Sequence, residues 1–446
     1  MKTTHYLHIA GAVMLLVAGA ALAAQPAAET QLSLQDCLNL ALKQNPAVLK
    51  AQQEIRRAHG VIAEARAEAL PRVTATGQYK RIDENFIESF PGNPAWPNQK
   101  QPWAAQVEVS QVVYAGGKVT AALRAARLTD QIAALDFQRV VADTVLQVRR
   151  TFYEILLGKA QVTVREQSLR LLEQQLEDTR HRFDVGAVPR FNVLRAEVEL
   201  ANAKPPLIRA QNNLRLAKES LVKLLALDTP GKGADFTTIN FAGELLYQHR
   251  PWTLPEALTQ ALQKRPELQQ AEKQVGLARE NVRAAKAGYK PQIDIFGDYG
   301  IRNTTFGSEV DETLHGWTVG ARATWPVFDG LLTFGRVQQA RAQQAKAELD
   351  AADARRAVEL EVRQAYSDYV QALELIEAQK KTVESAEESL RLAEARFRAG
   401  TGTQLDVLSA QTALTEARSN AIQALYDYNV AIATLDRVTG VSVKAE

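Results

Sequence analysis

The sequence predicts an α+β membrane protein, a duplicated unit in which paired β-strands sit between long helices that pack as antiparallel coiled coils. Three observations predict it. The chain repeats itself: Leu34, Leu38, Ala41, Leu42, Pro46, Ala51, Pro71, Gly77 and Tyr79 return 220 residues later as Leu254, Leu258, Ala261, Leu262, Pro266, Ala271, Pro291, Gly297 and Tyr299. Apolar residues step by seven through Ile155, Val162, Leu169, Leu176 and Phe183, and again 214 residues on through Tyr369, Ile376, Val383, Leu390 and Phe397. That spacing is the seam of helices that wrap left-handedly around neighbours. Between the helical stretches the period drops to two, over segments of roughly ten residues, a length that suits a tilted strand crossing a bilayer.

In chain order, residues 1–23 read as an export signal. Lys2 precedes an apolar run from Ile9 to Leu22, and Ala21-Leu22-Ala23 offers small residues for cleavage. No later stretch is apolar enough to span a membrane as a helix. Residues 24–70 hold two helices, the first stopped at Asn45-Pro46 and the second running to about Glu68. Proline is well placed at the start of the second and redirects the chain. Cys37, the only cysteine, falls on the apolar side of the first helix, so no disulfide forms within the chain.

Residues 71–115 form a strand pair. Val73, Ala75, Gly77 and Tyr79 alternate with polar neighbours, as do Trp103, Ala105, Val107, Val109 and Val113. The intervening stretch with Pro91-Gly92-Asn93-Pro94 and Pro97 suits an exposed loop. Gly116-Gly117-Lys118 marks the bend into a long hairpin over 116–227, helix about 117–183, turn, and return helix from about 190. A kink is expected in the return helix at Pro205-Pro206. Residues 228–253 join the repeats and look irregular. The second repeat follows with helices over 254–290, a strand pair and loop over 291–328, a bend at Asp329-Gly330 and a hairpin over 329–438, leaving a polar tail at 439–446.

Seven aromatic residues mark the strand ends. Tyr79, Trp103, Tyr299 and Trp317 lie toward one end and Tyr114, Trp325 and Phe328 toward the other, the pattern of two interfacial girdles. Four strands are too few to close a barrel. Open strand edges in lipid leave backbone groups unpaired, so other subunits must complete the sheet. Helices of about 67 residues reach ~100 Å, longer than a globular domain buries.

The remaining chemistry is sparse. Lys plus Arg (53) nearly balance Asp plus Glu (51), so no surface for nucleic acid is implied. His59, His181, His249 and His315 lack metal-ligand spacing, both methionines (Met1 and Met14) lie in the export signal, and no phosphate loop or nucleophile motif occurs. Neither a cofactor, a metal nor an enzymatic activity is expected.

The export signal, the duplicated helix openings, the strand pairs, the heptad helices and the two Phe-x-x-Gly turns at Phe183 and Phe397 together resemble the TolC-type outer-membrane efflux proteins, over essentially the whole mature chain. The resemblance implies a homotrimer in the outer membrane of a Gram-negative bacterium. Its twelve-stranded barrel would continue into a twelve-helix tunnel across the periplasm. It further implies a passive exit duct for small toxic compounds or drugs, served by a periplasmic membrane-fusion adaptor and an inner-membrane pump of the RND or ABC kind. Type I protein secretion is the alternative duct, and a periplasmic coiled-coil adaptor or scaffold the alternative of another class. By the same resemblance the turns Val185-Gly186-Ala187 and Ala399-Gly400-Thr401-Gly402 form the adaptor-docking tip. Asp406 matches an acidic ring position at the tunnel's narrow end, and a second such position falls on Ser409. The family's polar gating contacts are replaced by Phe397, Gly402 and Asn192, so closure is expected to rest on Phe183, Phe397 and Asp406.

Overall fold

The computed structural model describes residues 31–83, 102–227, 239–303 and 313–441. The export signal, the core of the first strand-pair loop, the start of the linker and the last residues of the tail lie outside them.

The first repeat opens with β1 (Gln31–Leu32), α1 (Leu34–Gln44) and α2 (Pro46–Ala67). Ser33 and Asp36 form a capping box on α1, the Ser33 amide donating to Asp36 Oδ2 at 3.0 Å. After β2 (Arg72–Tyr79) and β3 (Trp103–Ala115) come α3 (Lys118–Asp184) and α4 (Arg190–Leu224). The linker contributes β4 (Asn240–Phe241), which pairs in parallel with β1, so it is not wholly irregular as its composition suggests. The second repeat is α5 (Leu254–Lys264), α6 (Pro266–Lys286), β5 (Gln292–Asn303), β6 (Leu314–Thr324), α7 (Leu332–Arg398) and α8 (Gln404–Val438). Both long helices have 67 residues.

The heptad seams of α3 and α7 are buried most deeply at their starts. Ile155 and Tyr369, with Leu221, Leu435 and Tyr428 on the return helices, are at most 3% exposed, whereas Phe183 at a seam's end is 40% exposed, and two matching cores form where the short helices meet the hairpins. The core of the first repeat centres on Cys37, Phe152 and Leu221, that of the second on Ala257, Val362 and Leu435. Pro205 and Pro206 lie inside the return helix. α4 continues through both prolines for 35 residues. Each proline removes one hydrogen-bond donor, while Ala196, Ala210, Ala217 and Leu221 stay buried on either side of the pair.

Short and return helices meet end to end. Asn45 Nδ2 donates to the Leu224 carbonyl at 2.8 Å, satisfying the open end of α4. Arg265, the counterpart of Asn45, reaches the Val438 carbonyl at 3.3 Å. Beyond each joint the chain turns through a left-handed residue, Ala226 (φ 50) in one repeat and Gly440 (φ 68) in the other. The elbows from strand to helix also differ. Gly116 and Gly117 are both left-handed, whereas their counterparts are Gly330 and Leu331 (φ 70). That conformation costs a leucine about 1–2 kcal/mol.

The four strands make one antiparallel sheet in the order β2-β3-β5-β6. Its apolar residues fall in common rows: Val73, Val109, Gly297 and Val319 form one, and Ala75, Val107, Tyr299 and Trp317 the next. The opposite face carries Thr74, Glu108, Asp298 and Thr318. β3 holds a bulge between Val112 and Tyr114. Strict alternation from Val109 would put Tyr114 on the polar face. The extra residue resets the parity and sets Tyr114 opposite Ile293, in the apolar rows. Val113, which alternation assigns to those rows, is the residue left out of the pairing.

Candidate functional site

Two regions gather the residues singled out in the sequence, and a third adds residues that were not. The first is the pair of hairpin ends. At both, the helix stops in a glycine turn of the same design. The Ala187 amide donates to the Arg182 carbonyl (2.8 Å) and the Thr401 amide to the Arg396 carbonyl (3.0 Å), closing the last turns of α3 and α7. Gly186 (φ 75) and Gly400 (φ 77) have open space where a side chain would go, so conformation alone demands glycine there. Gly402 differs: a Cβ would lie 2.9 Å from Arg396 Cβ and 3.1 Å from the Phe397 amide nitrogen, so the turn closes only without one. Val185 is 79% exposed, and Ala187, Ala399, Gly400 and Thr401 are exposed with it.

The candidate constriction residues sit within the same turns. Asp406 caps α8: its Oδ2 accepts from the Thr403 amide and hydroxyl, both at 2.8 Å. Those bonds hold its carboxyl below the usual aspartate range. It remains exposed, and Ser409 is exposed one turn further along. Asn192, the counterpart of Asp406, caps nothing, because Pro189 starts α4 without a side-chain bond. Phe397 lies under the Arg182 guanidinium, 4.7 Å from its ring centre, while Phe183 is 40% exposed and stacks on no ring among the described residues. The two phenylalanines therefore do not pack on each other within one chain.

Sequence reasoning missed a further link. Gln404 Nε2 donates to Thr179 Oγ1 at 3.1 Å, both residues buried, tying the start of α8 to α3. Neither repeat pattern nor spacing announces it, since it depends on the packing of one hairpin against the other.

The second region is the apolar strand face. Tyr79 stands opposite Trp103, and Tyr299 opposite Trp317, the same cross-strand pair in each hairpin. Trp317 is 75% exposed, and Phe328 and Trp325, beyond the other end of β6, are 81% and 59% exposed. The Trp325 indole donates to the Tyr289 carbonyl at 3.2 Å. β2 and β6 have no outer partner among the described residues.

The third region, unforeseen, is an ionic cluster where α3 meets the second repeat. Arg265, 3% exposed, holds Glu267 (2.8 Å) and Glu361 (2.8 Å), and Arg437 joins Asp143 (2.7 Å), Glu267 (3.0 Å) and Glu361. Burial pushes the Glu267 carboxyl up, but the Arg265 and Arg437 partners outweigh it and hold it below the usual range. The first repeat has Asn45, Ala47, Gln147 and Lys223 in the places of Arg265, Glu267, Glu361 and Arg437, so it has no counterpart of the cluster, to which it lends Asp143. Among the described residues no His, Cys, Asp and Glu group could hold a metal ion, and no helix is long and apolar enough to cross a membrane.

An exposed apolar strand face, joined to helices that reach ~100 Å, defines the class: an outer-membrane channel protein with a helical extension into the periplasm. The model of the outer membrane efflux protein family matches residues 37–227 and 257–441. The chain belongs to that family, and it serves as an efflux duct of the outer membrane. It is 26% identical over 401 residues to outer membrane protein TolC of Escherichia coli (strain K12), covering 86% of this chain and 77% of the relative. It is 30% identical over 435 residues to outer membrane efflux protein BepC of Brucella suis biovar 1, covering 96% and 89%. Among solved structures, the outer membrane protein VceC of Vibrio cholerae superposes with a TM-score of 0.78 at 18% identity, over 91% of this chain and 96% of that one. The family is one of channel proteins rather than enzymes.

Proposed function

We propose that three copies of the chain close the sheet into a twelve-stranded barrel and the helices into a twelve-helix tunnel. Through it small toxic compounds would leave passively. A periplasmic membrane-fusion adaptor and an inner-membrane pump would deliver them, a proton-driven RND pump in preference to an ATP-driven ABC pump. The observation that carries the reading is the four-stranded sheet itself, apolar in continuous rows on one face, with neither edge paired among the described residues. Lipid does not tolerate such edges, and identical copies supply matching ones. The chain's own chemistry adds no catalytic step. The strand aromatics serve as the membrane girdles, residues 239–253 of the linker belong to a belt around the tunnel, and the turns at Gly186 and Gly400 receive the adaptor. Asp406, from each copy, narrows the tunnel end together with Phe183, Phe397 and Asn192.

A photo-reactive residue at Thr401 tests the docking assignment in living cells, with captured proteins identified by mass spectrometry. Capture of an adaptor encoded with a proton-driven pump is the expected result. An adaptor paired with an ATP-driven exporter would shift the reading to protein secretion, and capture of no adaptor would remove the docking role from these turns.

A further inference from the structure

The stretch just beyond β6 carries a dense apolar surface outside the strands. Trp325, Val327, Phe328, Leu331, Leu332 and Phe334 are each 51–82% exposed. The first repeat keeps exposed Val113 and Tyr114 in the places of Val327 and Phe328 but stops there, having Gly117, Lys118 and Thr120 in the places of Leu331, Leu332 and Phe334. Leu331 is also the second repeat's strained elbow, left-handed where the first repeat uses glycine. A leucine facing water in that conformation is disfavoured twice, by its backbone and by its hydration. Contact with hydrocarbon removes the second penalty and offsets the first. The stretch continues the lipid-facing surface directly, since Trp325 follows Thr324, the last residue of β6. Two exposed cations lie beside it in the chain and the fold. Arg336 is two residues past Phe334, and Lys290 adjoins Tyr289, whose carbonyl holds Trp325.

We propose that Val327, Phe328, Leu331, Leu332 and Phe334, the apolar side chains around the first turn of α7, are immersed in phospholipid at the periplasmic leaflet of the outer membrane, while Asp329 between them caps that turn by accepting from the Thr333 amide. The acyl chains meet Val327, Phe328, Leu331, Leu332 and Phe334, and the anionic headgroup phosphates meet Lys290 and Arg336. The second repeat is thus anchored about one helical turn deeper below the sheet than the first. This rests on the reading of the apolar strand face as lipid-facing.

Spin labels on single cysteines, in the full chain reconstituted into phosphatidylethanolamine–phosphatidylglycerol liposomes, test it. The buried Cys37 stays unlabelled. Labels at Leu331, Leu332 and Phe334 are compared with labels at Lys118 and Thr120, and with one at Trp317 as the strand reference. Collision with oxygen, which concentrates in lipid, is measured against collision with a water-soluble nickel chelate. The expected oxygen-to-nickel ratio at Leu331, Leu332 and Phe334 is severalfold above that at Lys118 and Thr120, and close to that at Trp317. Ratios equal to those of Lys118 and Thr120, with Trp317 still rich in oxygen, overturn the anchor alone. Shielding from both reagents also overturns it, placing a second copy of the chain over the stretch. A water-exposed Trp317 overturns the strand-face reading beneath it. Hydroxyl-radical footprinting of the unsubstituted protein in the same liposomes repeats the comparison without labels, with Phe328 and Phe334 expected to be protected from oxidation.

Discussion

Ile155 and Leu214 of the first repeat are Tyr369 and Tyr428 in the second, and two hydroxyl groups decide what lies over the second core. Tyr369 donates to the Arg250 carbonyl (2.7 Å) and Tyr428 to the Gln248 carbonyl, and Tyr247 stacks at 5.0 Å on Tyr428. Those bonds hold the linker against α7 and α8. Tyr428→Phe leaves the Gln248 carbonyl unpaired and is expected to cost about 1–2 kcal/mol in denaturant unfolding while keeping the fold. Ala226 occupies the left-handed place that Gly440 fills in the other repeat. Ala226→Gly is expected to raise stability by about 1 kcal/mol in the same measurement, because strain relief exceeds the entropy that glycine loses. Cys37 is 0% exposed, and burial, with the nearby Asp36 charge, pushes its thiol up to about 12. A thiolate reagent at neutral pH should therefore leave it unmodified until the chain unfolds, and rapid labelling of the native protein would contradict its placement.

Among the elements, the two return helices begin differently although their turns match. α8 has the Thr403–Asp406 capping box, and α4 has Pro189 with no side-chain cap. Amide exchange is expected to be faster at Asn192 than at Asp406, and Thr403→Ala should remove about 1 kcal/mol of local protection at the start of α8. The Asp406 carboxyl titrates below its ordinary value, so its contribution is present above about pH 4 and fades as pH falls through the lowered value. Glu267 behaves alike in the ionic cluster, and acid loosens the junction between α3 and the second repeat from the same side. Arg265→Ala leaves Glu267 and Glu361 with Arg437 as their remaining arginine partner and takes the side-chain donor from the Val438 carbonyl at the end of α8, and it is expected to destabilise by about 1–3 kcal/mol, read from the unfolding midpoint.

Much of this level was legible in the chain. Seven-residue spacing through Ile155 to Phe183 places α3 and its seam, because one helical period governs every residue along it. Period two places β2, β5 and β6 for the same reason. The bulge at Val112–Tyr114 was not legible, since one unpaired residue changes which face follows without changing composition. Nor were the Arg265 cluster and the Gln404–Thr179 bond, where partners 96 and 225 residues apart meet only after the hairpins pack. Pro205 and Pro206 stay inside α4 because local preference is weaker than a long packed face.

For the whole molecule, the edges of β2 and β6, unpaired among the described residues, set the expectation. The protein extracted from outer membranes should migrate as an oligomer that converts to the monomer on heating, and a monomer without heating would contradict closure by copies. Not every helix crosses the joint marked by Asn45 and Arg265. α2 meets α4 end to end there, and α6 meets α8, each across a side chain and a terminal carbonyl. α3 and α7 alone pass that height as unbroken covalent rods. A torque applied at the hairpin ends therefore reaches the membrane sheet through two members per chain, while the other four abut like stones in a column, carrying compression well and twist poorly.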